Sequence, residues 1–126
     1  MKGYDPSKQL NSDEWLDLEE SERISLVRIF HEALDDDLLE DAIEMHTMFH
    51  VIVENQLAEK VELIPETIAK LTRQGLDRHE AIHAIAAIVS EDIFDLWKEN
   101  KNEFSPKQYR RKLENITAKR WRKGQY

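Results

Sequence analysis

Residues 39–57, LEDAIEMHTMFHVIVENQL, decide the fold. Leu39, Ala42, Ile43, His46, Phe49, His50, Val53 and Leu57 recur at steps of three and four, the period of one face of an α-helix. Met48, Val51 and Ile52 lie off that face, so the helix is apolar around much of its circumference and belongs at the centre of a domain. Its polar punctuation is unusual: two histidines four apart stand on the apolar face, and Glu54 follows one helical step later.

Working outward, Asp35–Asp37 interrupts the pattern on the N-terminal side and suits a helix start, where carboxylates meet the positive end of the dipole. This central helix is expected at about residues 37–59. Before it, Asp17 and Glu20 have capping-box spacing, and Ile24, Val27, Phe30 or His31, and Leu34 mark a helix over about 18–34. Residues 1–11 read as irregular, and SDEW allows a short turn capped by Ser12. After the central helix, Pro65 at a first helical position and Gly75 past a helix end bracket a short helix over about 65–74. Asp77, with Glu80 three residues on, caps a long helix over about 77–100 that carries Ile82, His83, Ala86, Val89, Ile93 and Leu96 or Trp97 on one face. Ser105 and Pro106 start a last helix over about 106–122, with Phe104 stapling onto Tyr109. VELIP, residues 61–65, is a short extended piece at most, because nothing pairs with it. The expected architecture is a single all-α domain spanning 1–126, a bundle of four to five helices.

Composition sets the surroundings. The 126 residues contain no cysteine, which excludes thiolate metal sites and disulfides and suits a reducing compartment. The N-terminus MKGYDPSKQL lacks the apolar core of a signal peptide, and no apolar run can span a bilayer, so a cytoplasmic protein with no membrane partner is expected. Residues 107–123 carry eight bases and one acid, whereas the rest of the chain carries ten bases and 25 acids. A basic helix with Tyr109 and Trp121 has the elements of a nucleic-acid surface, but it is a single segment against a strongly acidic body. Docking on that body, in its own chain or in a partner, is the preferred reading. Trp15 and Trp97 are read as core or interface anchors, and the second apolar face of the central helix as the seat of the first helix or of a homodimer contact.

Four of the five histidines form two helical pairs, His46 with His50 and His79 with His83. Each pair presents two imidazoles on one face, a spacing that lets both bind one metal ion. A short helix between the two long ones brings the pairs to one level if it runs back along the central helix and the next helix then climbs parallel to it. The candidate site is therefore His46, His50, His79 and His83 with Glu54 as an additional ligand, holding a divalent ion such as zinc, nickel or iron. The alternatives are an interaction module with a hydrogen-bonded histidine cluster, and a metal-dependent hydrolase. HEAIH, residues 79–83, matches the H-E-x-x-H of zinc peptidases, but the continuation lacks a third ligand and Glu80 has a capping role to fill. His31 is read as a helix C-terminal or core residue rather than a fifth ligand.

The runs MHTMFHVIVENQLA and GLDRHEAIHAIAAIVSEDIFDL resemble a group of small bacterial proteins, the "domain of unknown function 1841" family, over about residues 45–97. The shared pattern is two His-x3-His pairs, the first followed by an acid and a glutamine; here these are His46, His50, Glu54, Gln56, His79 and His83. The resemblance implies a bacterial all-helical domain and carries no activity, substrate or cofactor with it.

Overall fold

A computed structural model describes residues 1–34, 40–98 and 105–125. The described residues form helices α1 (Ser12–Asp17), α2 (Glu20–Leu34), α3 (Glu40–Ala58), α4 (Ile64–Arg73), α5 (Arg78–Lys98), α6 (Pro106–Asn115) and α7 (Ala118–Arg122), with no strand among them. The fold is all-α, as the helical periodicity requires. The expected interruption at 35–37, the start of the central helix, the final residues of the 77–100 helix and the Phe104 staple lie outside the described residues.

The central position of α3 follows from its sequence. It packs against α1, α2, α4 and α5. Apolar side chains supply part of this contact, with Ile43, Val51, Val53 and Ala58 all buried. Three consecutive polar residues supply the rest. At 100° per residue, Glu54, Asn55 and Gln56 point in three directions, and each secures a different neighbour. Glu54 bonds Arg78 at the start of α5. Asn55 Oδ1 accepts from the Trp15 indole at 2.9 Å and from Arg23 at 3.1 Å, joining α1 and α2. Gln56 Oε1 accepts from the Tyr109 hydroxyl at 2.8 Å, joining α6. A helix surrounded by others cannot leave these groups in water, so each has a partner.

The helix ends correct several details. Asn11, not Ser12, caps α1 by accepting from Glu14 N–H. The box at the start of α2 is shifted by two residues from Asp17 and Glu20: Glu22 reaches back to Glu19 N–H, while Asp17 closes α1. Lys60 ends α3 in the left-handed region, with Val61 N–H on Gln56 O and Lys60 N–H on Leu57 O, a Schellman closure. Leu63 is left-handed as well, so two such residues within four positions turn the chain sharply where VELIP allowed an extended piece. Gly75 makes the same closure after α4 at φ +105°, as its position predicts.

The basic C-terminal segment is two helices. Ile116 is extended, and Thr117 Oγ1 accepts from Arg120 N–H to start α7. Tyr109, Leu113, Ile116 and Ala118 are buried against α4 and α5. The segment docks on the acidic body of its own chain: Lys112 bonds Glu91 and the buried Asp92, and Arg110 bonds Glu62. Trp15 is fully buried, but Trp97 is 80 % exposed and Ile93 42 % exposed, so the expected core stripe of α5 stops short of its C-terminal end. Among the described residues no helix is long and apolar enough to cross a membrane.

Candidate metal centre

All five histidines meet in one cluster between α2, α3 and α5. His50, fully buried on α3, is its hub: its ring centroid lies 4.5 Å from His31, 4.8 Å from His46, 5.0 Å from His83 and 5.1 Å from His79. His46 and His83 are 4.8 Å apart, and His79 and His83 4.3 Å. The two helical pairs therefore share one site, well inside the roughly 10 Å beyond which no single ion could join them. They meet in the opposite sense to the one expected. Ascending α3, His46 faces His83, His50 faces His79 as well, and Glu54 faces Arg78, so α5 descends through the site. The reason lies in α4, which packs chiefly on α5 after the sharp turn at residues 60–63 instead of retracing α3.

His31 is the ligand candidate that sequence reasoning set aside. It comes from the last turn of α2, is 5 % exposed, and stands 4.5 Å from the His46 ring. Burial lowers its pKa, so it is not the cationic helix stabiliser its position allowed. Its place beside Phe30 on the apolar face was the available signal. One ring nitrogen from each of His31, His46, His50 and His79 lies within 4.8 Å of all the others. His83 Nε2 stands 3.0 Å from His50 Nε2.

Hydrogen bonds on the outer side of the cluster orient the rings. His31 Nδ1 is 2.8 Å from Val27 O, and a carbonyl only accepts, so Nδ1 carries the proton of the neutral ring. Its Nε2 is then a bare lone pair, buried and without a partner; His79 Nε2 is also buried and unpartnered. Glu54, 1 % exposed, does not face the cluster as a free carboxylate. Oε1 takes Arg78 Nη2 at 2.7 Å, and Oε2 takes Arg78 Nη1 at 3.0 Å and the Tyr4 hydroxyl at 2.7 Å. Tyr4 comes from the irregular N-terminal segment and is 6 % exposed; its hydroxyl also lies 3.0 Å from His50 Nδ1. Nothing in the periodicity of residues 1–11 pointed to it.

Burial, reinforced by neighbouring imidazoles, holds His46 and His83 down to about 4 and lowers His50; burial also lowers His79, against the opposing pull of Asp77, Glu80 and Asp5. The cluster is therefore neutral at pH 7, the form in which imidazole binds metal. An unfolded chain would protonate these rings near pH 6.5, before the folded one does. Below that pH the unfolded state holds more protons, so stability decreases as pH falls from about 6.5 to about 4. Urea midpoints at pH 7.5, 6.0 and 5.0 are expected to decrease in that order; an increase toward acid would contradict the buried neutral cluster.

The two ends of Glu80 have different partners. Asp77 Oδ1 takes Glu80 N–H at 2.7 Å, as the cap requires, but the Glu80 carboxylate accepts from the Trp121 indole at 2.7 Å rather than from Asp77 N–H. A cavity of about 570 Å³ opens between α3, α4 and the N-terminal segment, with Leu10, Leu57, Ile68 and the Glu54–Arg78 pair in its wall; none of its lining residues is a histidine. Comparison of the chain with protein-family models, curated proteins and solved structures gave no match.

Proposed function

We propose that this protein binds one divalent transition-metal ion through its histidine cluster, with His50 at the centre and His31, His46, His79 and His83 as the surrounding donors. The observation that carries the reading is the pair of buried, partnerless nitrogens, His31 Nε2 and His79 Nε2, in a cluster of neutral imidazoles. A purely structural hydrogen-bonded cluster would satisfy such atoms; here only His50 and His83 pair with each other. The spacing supports the same reading. Nitrogens at about 2.0–2.1 Å from a tetrahedral ion are separated by about 3.4 Å. The 3.0 Å His50–His83 contact is close to that value, and the nitrogens of His31, His46, His50 and His79, up to 4.8 Å apart, would draw inward on binding.

An all-imidazole set suits zinc, nickel or iron and disfavours magnesium and calcium, which take oxygen ligands. Glu54 supports the site from outside, through Tyr4, instead of ligating. In the hydrolase alternative Glu80 would be the general base, but its carboxylate is held by the Trp121 indole, and the cavity beside Glu54 has no histidine in its wall, so a non-enzymatic metal-binding role is preferred. Membership in the bacterial family named above, and a cytoplasmic location, remain part of this proposal. Metal at about 100 times its Kd stabilises a one-site protein by about 2.7 kcal/mol, which raises Tm by about 10 °C at this chain length. Thermal melts with zinc or nickel are expected to show that rise, and melts with magnesium none. An unchanged Tm with every transition ion would remove the reading.

A further inference from the structure

We infer that Tyr4 is a positioning residue of the metal centre: it fixes the tautomer of His50 and makes the N-terminal segment part of the site. This rests on the metal reading above, but its geometric core stands without it.

Tyr4 has one hydroxyl proton and two neighbours, Glu54 Oε2 at 2.7 Å and His50 Nδ1 at 3.0 Å. Glu54 faces both terminal nitrogens of Arg78, which makes it a carboxylate and an acceptor only. If the phenol gave its proton to His50, its oxygen would face a carboxylate oxygen at 2.7 Å with no hydrogen between them. The proton therefore goes to Glu54. The Tyr4 oxygen is then the acceptor, and His50 Nδ1–H is the donor. The neutral His50 ring has no second proton, so its Nε2 is a lone pair aimed into the cluster. Until an ion takes it, that lone pair accepts from His83 Nε2 at 3.0 Å.

The chain Arg78–Glu54–Tyr4–His50 is thus a relay of charge and hydrogen bonds that ends on the hub imidazole. It fixes the direction of the His50 ring and the nitrogen that carries its proton, the role that outer carboxylates play at histidine metal sites. Its middle member arrives from 46 residues away in sequence. Tyr4 is held there by the Trp15 and Phe30 rings at 6.1 and 5.9 Å, and Arg78 Nη1 also bonds Pro6 O at 2.9 Å. The guanidinium that anchors the relay therefore anchors the segment that carries Tyr4.

Two measurements test this. In metal-free protein at pH 7.5, the ring ¹⁵N shifts of His50 should show protonated Nδ1 and bare Nε2. A Tyr4→Phe variant keeps the ring packing and removes the relay. It should lose the single tautomer and bind zinc, measured by competition with a chromophoric chelator, about 10–100-fold more weakly. A protonated Nε2 in the wild-type protein overturns the inference. So does a Tyr4→Phe variant with unchanged His50 shifts and zinc affinity within about twofold of wild type. Absence of zinc binding by the wild-type protein would remove the metal reading instead, and the tautomer would still decide whether Tyr4 positions His50.

Discussion

Replacement of Glu54 by alanine is expected to destabilise the metal-free protein by about 3 kcal/mol. Glu54 is 1 % exposed and forms both bonds of a two-pronged pair with Arg78, whose side chain is 13 % exposed. Removing the acid strands a guanidinium that is largely out of water, and it deprives the Tyr4 hydroxyl of its acceptor. Loss of one member of such a pair typically costs about 3–5 kcal/mol; the Arg78 bond to Pro6 O and its residual exposure put this case at the lower end. The change should appear as a lower urea midpoint with an unchanged slope. A Glu54→Ala, Arg78→Met double variant should recover part of the loss, because the stranded charge is gone. A single-variant cost below about 1 kcal/mol would mean that the pair is solvated and that the relay has no rigid anchor.

The second large effect concerns affinity. His50→Leu is expected to weaken zinc binding by at least about 100-fold, more than loss of an outer partner would. His50 is the one ring in contact with all four other imidazoles, so no remaining set of four reproduces the site. Leucine is chosen because the position is fully buried and an apolar side chain of similar volume keeps the core filled. The metal-free variant should therefore stay folded by circular dichroism. An affinity within about threefold of wild type would show that the ion, if bound, sits elsewhere.

The pairs His46–His50 and His79–His83 were legible because a helix turns i, i+4 spacing into adjacency, and the apolar positions around them showed that both pairs face inward. The long helices were legible for the same reason. What escaped depends on tertiary arrangement. The sharp turn out of α3 runs through Lys60 and Leu63, whose left-handed backbone has no residue-type signature of the kind Gly75 offers. Tyr4 lies in a segment with no periodicity, so its burial could not be read. Arg78 was a missed signal: a guanidinium next to His79, at the entrance of an inward-facing helix, needs a buried acid, and Glu54 was the inward acid available. The break in the basic segment was also present in the sequence, since Thr117 before AKRW is a helix cap.

The most direct test is the metal content of untagged protein after equilibration with micromolar zinc, nickel or iron and removal of free ion. The histidine cluster predicts about one ion per chain for at least one of these metals, and its loss in His50→Leu. Less than about 0.1 ion per chain with all three would contradict it, because a site able to stabilise the folded state must retain its ligand under those conditions.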